Sequence, residues 1–171
     1  MELRRFFDQA IRASFHDLAL QGDPAAPYLA DLLTRFARTE NLYPRGRAIP
    51  RLETVVDMML DARAVWNVDT PDFRPEHEVS VRRHIGDYTL FMTGIFPERV
   101  ARTAGTAFYV TEGKRAYQFI SEHARASSRG MPLPYRRLAE RFETYAAALD
   151  YTRRVHFFGA PQHPFFGLRF E

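Results

Sequence analysis

EHEVSVRRHIGDYTLFMTGIF, residues 76–96, sets Val81, Ile85, Tyr88, Phe91, Met92 and Ile95 three and four residues apart. That spacing returns side chains to one face of a 3.6-residue turn and predicts a helix from about Glu76 to Phe96, which Pro97 ends or restarts. The same period recurs upstream. Leu3, Phe6, Phe7, Ala10, Ile11, Phe15 and Leu18 form one stripe, and Tyr28, Leu29, Leu32, Leu33 and Phe36 form another. Between them Gly22, Asp23 and Pro24 supply a break, a cap and a first-turn proline. Asn41 to Pro50 reads as a loop, followed by a third helical face over Leu52, Val55, Val56, Met59 and Leu60.

Downstream, Ala101 to Val110 carries β-branched and aromatic residues around Gly105 and reads as a short irregular or 3-10 piece. A fifth helix is expected over Glu112 to Ala126, capped by Thr111, with Tyr117, Ile120 and Ala124 inward. Pro134 opens a sixth, with Leu138, Phe142, Tyr145, Leu149 and Thr152 inward. Two-residue alternation and the hairpin dipeptides Asn-Gly and Asp-Gly are missing. The expectation is an all-α bundle of about six helices forming one domain over residues 1–171, with an aromatic-rich tail from residue 155.

Composition closes several function classes. The chain has 171 residues, 46% of them hydrophobic and 26% charged, as in an ordinary globular protein. It contains no cysteine, which excludes disulfides, thiolate metal sites, iron–sulfur clusters and cysteine nucleophiles. The uncharged run Tyr88 to Pro97 is half of the ~20 residues that a membrane span needs. Charges interrupt the amino terminus where a targeting peptide would be apolar, so the expected location is cytoplasmic. No Gly-x-Ser-x-Gly elbow and no phosphate-binding glycine loop occurs, which argues against serine hydrolysis and nucleotide use.

Candidate chemistry centres on the quoted helix. From His84, at ~100° per residue, His77 lies about 20° away, Tyr88 about 40°, Phe91 about −20° and Asp87 about −60°. His84 therefore falls inside the apolar stripe, with Asp87 as the nearest carboxylate. Three readings follow. A core histidine would hydrogen-bond Asp87 or a carbonyl. A metal site would use His77, His84, Asp87 and His123. A haem or small-molecule site would set His84 and Asp87 against Tyr88, Phe91 and Met92. Neither the Glu-x-x-His pairs of di-iron bundles nor His-Glu-x-x-His is present. Gly86 and Gly94 mark a close helix crossing or bare backbone for a ligand.

Two further features bear on partners. Arg35, Arg38, Arg45, Arg47 and Arg51 face only Glu40 in their stretch, a place where anions could dock. A helix-turn-helix reader would need a polar recognition helix, and the third helix instead carries Asp57 and Asp61, so nucleic acid is the poorer partner. The tail repeats His156-Phe157-Phe158-Gly159 as His163-Pro164-Phe165-Phe166-Gly167, and its rings must pack on the body, on a second copy or on a partner. The functional expectation is a helical binding or protein-interaction module. The alternative is a metal- or haem-binding bundle enzyme or carrier centred on His84.

Overall fold

The computed structural model of the chain describes residues 3–37, 75–126 and 134–157, with the backbone alone at 75–77 and 124–126. The loop and third helix expected over 41–60, Arg38, Arg45, Arg47 and Arg51, and the tail beyond Phe157 lie outside the described residues. The described residues are 84% helical and contain no strand, which establishes the all-α class. They form α1 (Leu3–Asp17), α2 (Ala26–Phe36), α3 (Pro75–Ile95), α4 (Pro97–Arg102), α5 (Thr106–Ala126), α6 (Tyr135–Glu140) and α7 (Phe142–Val155). None of these helices is long and apolar enough to cross a membrane.

Most of the apolar stripes are buried as their spacing requires, whereas Leu18, expected in the first stripe, lies past the end of α1 and is exposed. α1 turns Phe7, Ala10, Ile11 and Phe15 inward, and α2 contributes Leu29, Leu32, Leu33 and Phe36. α3 runs through the middle, packed against α5 and α7 along its length and against α2 and α4 at fewer points. Its two glycines sit at those crossings. A Cβ on Gly86 would stand 2.7 Å from Cε1 of Tyr117 on α5, and one on Gly94 would stand 2.5 Å from Cβ of Leu149 on α7. The missing side chains let the helices approach, which offsets the ~1 kcal/mol that each glycine forfeits in helix propensity.

Three expectations need correction. α5 starts at Thr106 rather than Glu112, and the stretch over 101–110 is the end of α4, a turn at Gly105 and the first turn of α5. Local propensity is overridden there because Tyr109, 2% exposed, packs beside Tyr88. The helix opening near Pro134 is two helices, broken at Arg141, whose φ of −119° and ψ of 31° leave the helical region. Asp23 does not cap α2 directly. α2 begins at Ala26, and Asp23 binds the Ala25 amide at 2.9 Å while spending both carboxylate oxygens on more distant groups. At the other end of the chain Phe157 is buried against Phe6 and Phe7, so the first ring of the aromatic segment packs on α1 of the same molecule.

Candidate functional site

Asp87 stands mid-helix on α3 with its side chain 1% exposed. Its carboxylate is the meeting point of three helices. Tyr28 of α2 donates its hydroxyl to Oδ1 at 2.6 Å, and Tyr117 of α5 donates to the same oxygen at 2.8 Å. On Oδ2, Nη1 of Arg35 from α2 donates at 3.0 Å, and Nε of Arg83, one turn earlier on α3, completes an ion pair at 3.7 Å. Gly86 makes the arrangement possible, since the Tyr117 ring occupies the space where any larger residue would carry its Cβ. Tyr135 of α6 closes the cluster, edge-on to Tyr28 at 5.6 Å and stacked on Tyr117 at 6.0 Å.

Burial, reinforced by the Asp87 charge, pushes the Tyr28 and Tyr117 hydroxyls far above the ordinary tyrosine range. Both are therefore neutral donors throughout the physiological range. Burial opposes the charge on Arg35, but Asp87, Tyr28 and Asp31 outweigh it and keep the guanidinium protonated. For Arg83 burial is likewise outweighed, here by Tyr135, Tyr28 and Asp87. The Arg35 and Arg83 side chains are 32% and 42% exposed as wholes, so the carboxylate is dry while its arginines reach from it toward the surface. Arg35 also pairs with Asp31, which Arg4 reaches at 3.0 Å.

The expected partnership of His84 with Asp87 is not formed, because hydroxyls and guanidinium already occupy both oxygens of Asp87. The His84 ring lies instead beside Phe36 at 6.1 Å and Tyr88 at 6.3 Å, and its buried Nε2 has no hydrogen-bond partner among the described residues. Burial pulls its pKa down, outweighing the opposing pull of Asp87. Phe91 and Met92 are core residues: Phe91 stacks on Phe36 at 4.9 Å and meets Phe96 edge-on. His123 stacks on Phe119 of its own helix at 6.3 Å. Among the described residues no group of three or more histidine and carboxylate side chains is placed to hold a metal ion, and the side chain of His77 falls outside them.

Sequence reasoning missed Tyr28, Tyr117 and Arg83 as partners of Asp87. The tyrosines read as members of apolar stripes, which they are by ring and not by hydroxyl. One signal was available: an aspartate directly after a glycine, within a helix whose neighbouring residues are apolar, needs donors from other helices. A related knot forms around Asp23 in the turn between α1 and α2. Tyr145 of α7 donates its hydroxyl there at 2.9 Å, Arg137 of α6 places Nε and Nη2 at 3.1 and 3.2 Å, and Arg141 reaches it at 3.4 Å. Comparison with protein-family models, with characterised proteins and with solved structures finds no match.

Proposed function

We propose that the chain is a cytoplasmic helical binding module that recognises an acidic protein segment through the arginines that frame Asp87. One observation carries this reading: two partly exposed arginine side chains, Arg35 and Arg83, share a single buried carboxylate. Arg4 and Arg35 pair with Asp31, and Arg35 and Arg83 with Asp87, so these arginines form one cationic group along α1, α2 and α3. Asp87 fixes the two heads in place, and preorganised guanidinia suit the planar, bidentate recognition of a carboxylate. In sequence, α2 ends one residue after Arg35 and is followed by Arg38, Arg45, Arg47 and Arg51, which add to the basic residues of this part of the chain.

Fluorescence anisotropy of a labelled Asp/Glu-rich peptide tests the proposal. Binding at low salt should weaken as salt is raised and should weaken about fivefold or more in both Arg83→Gln and the Arg45→Gln/Arg47→Gln pair. Failure to bind at low salt, or binding of duplex DNA at least as tight as that of the peptide, overturns it.

A second reading rests on Nε2 of His84, which has no partner among the described residues and is able to ligate a metal or haem iron. Asp87 is consumed by its own network and does not join such a site. Titration with hemin checks it. A Soret band that saturates at one equivalent and is lost in His84→Ala supports this reading, and a spectrum equal to that of free hemin removes it.

A further inference from the structure

Asp31 occupies, from within the chain, the place that a bound carboxylate would take between two arginines. Pro27, Asp31 and Arg35 recur every four residues and so share one face of α2. Arg4 of α1 meets that face and donates Nη1 to Oδ1 of Asp31 at 3.0 Å, while Arg35 donates Nε to Oδ2 at 2.8 Å. Each oxygen of one carboxylate thus has its own guanidinium, and the two guanidinia come from different helices.

Neither arginine depends on Asp31 alone for its position. Arg4 donates Nη2 to the carbonyl of Pro27 at 3.2 Å, and Arg35 donates Nη1 to Oδ2 of Asp87 at 3.0 Å. Each head therefore has another anchor in the fold and turns a second donor toward the same point. Two guanidinia so anchored stay set for an oxyanion when the Asp31 side chain turns away. That movement costs little, because the side chains of Asp31, Arg4 and Arg35 are 41%, 40% and 32% exposed and ion pairs this open to water are weak. Asp87, buried and bonded to two tyrosine hydroxyls, does not share this freedom.

We propose that Arg4 and Arg35 form a clamp for one carboxylate of a bound acidic segment, and that Asp31 is its autoinhibitory stand-in, displaced when the segment binds. The inference rests on the acidic-segment reading and adds to it a regulating residue. A clamp filled from within is competent only for the fraction of time that Asp31 is away, and the affinity of the parent chain is lowered by that fraction. Asp31 thus sets a threshold: a carboxylate engages the clamp only when the rest of its segment is held by the neighbouring arginines.

Anisotropy of the labelled Asp/Glu-rich peptide with the full chain tests the clamp. Asp31→Asn keeps the size of a partly exposed side chain, so the fold persists, as far-UV circular dichroism would verify. This variant should bind the peptide about threefold tighter or more, and adding Arg4→Gln to it should abolish the gain. Glu122→Gln removes the same unit of charge from an exposed position on α5 and should stay within about twofold of the parent. Suppose the parent binds and weakens in Arg83→Gln. Indifference to Asp31→Asn, an equal gain in Glu122→Gln, or a gain that survives Arg4→Gln would then overturn the clamp and leave the acidic-segment reading standing. Absence of binding by both the parent and Asp31→Asn would remove that reading and the clamp with it.

Discussion

Asp87 and Asp23 are both buried aspartates that accept tyrosine hydroxyls and pair with two arginines, yet different parts of the chain hold them in place. Asp87 sits in the middle of α3, and its hydroxyl donors come from α2 and α5, 59 and 30 residues away. Asp23 sits in a turn, takes the nearby Ala25 amide, and receives one tyrosine on both oxygens. Of its arginines, Arg137 lies within α6 and Arg141 is the break between α6 and α7. The contrast separates two ways of keeping a charge dry. At Asp87 tertiary packing supplies every donor beyond its own helix, so the network exists only when three helices are docked. At Asp23 the backbone supplies the first donor, and the rest pin two irregular joints of the chain together.

Removing each carboxylate measures that difference. Asp87→Ala would strand two buried hydroxyls and the heads of Arg35 and Arg83, and should lower stability by about 3–5 kcal/mol. Asp23→Ala leaves arginines that solvent reaches and an amide in a turn, and should lower it by about 1–3 kcal/mol. Urea unfolding of both variants decides the order. A loss for Asp23→Ala as large as that for Asp87→Ala would show that the two knots are equivalent.

Glycines beside the two aspartates sharpen the comparison at the next level. Gly86→Ala adds a methyl into the Tyr117 ring, and overpacking of ~1–3 kcal/mol should exceed the ~1 kcal/mol gain in helix propensity. Gly22, next to Asp23, has open space around it but a φ of +78°, so the obstacle there is conformational. Asparagine, which tolerates that region, should therefore be accepted at 22 and rejected at 86. Melting temperatures of the two asparagine variants check this, and similar losses in both would refute the distinction.

Legibility in the sequence divides along the same line. The stripes of α1, α2 and α3 could be read because burying a helix face needs only periodic apolar residues, and Phe7, Leu29 and Phe91 satisfy it. α5 was found late because Thr106, Phe108, Tyr109 and Val110 have poor local propensity and are rescued by packing that only the folded chain provides. Asp87 was identified, but its partners were not. A hydroxyl on a buried ring is invisible to a hydrophobic pattern, and the joining of residues 28, 87 and 117 is fixed by helix docking rather than by spacing. Asp23 was mistaken for a simple cap for a related reason: local signals report the nearest amide, and the charge was matched by arginines more than a hundred residues away.

Titration distinguishes the knots without mutation. Tyr145 has its hydroxyl pushed up to about 12, first by burial and then by Asp23, whereas Tyr28 and Tyr117 are held far higher. A raised tyrosine contributes stability that is complete below pH ~10 and is lost as pH climbs through the folded-state value. Absorbance at 295 nm should therefore show Tyr145 ionising near 12 in the folded chain, and Tyr28 and Tyr117 ionising only together with unfolding. Two buried tyrosines titrating ahead of Tyr145 would reverse the assignment. In acid the sign is opposite. Burial would raise the Asp23 carboxyl, but the Ala25 amide, Arg137 and Tyr145 outweigh it and hold it below its ordinary 3.8. Its contribution is present above that value and disappears as pH falls through the lower folded-state one, a loss that Asp23→Asn should no longer show.

The smallest effect concerns His84, which belongs to neither knot although it lies one turn from Asp87. With its Nε2 unbonded among the described residues and its ring beside Phe36 and Tyr88, it behaves as a ring-shaped hydrophobe whose charged form is penalised. A histidine with a depressed folded-state pKa contributes stability above its unfolded value of 6.5, and that stability erodes as pH falls from there toward the lower folded value. His84→Leu removes the titration and keeps an apolar filling. Its stability should change by less than about 1.5 kcal/mol at pH 8, as for other volume-conserving core exchanges. Below pH 6.5 the variant should gain on the parent chain as pH falls. Urea midpoints of the two proteins across pH 5 to 8 make the measurement. Parallel curves would mean that His84 holds the same proton affinity folded and unfolded, so that its ring is open to water and the packing around Phe36 is looser than described.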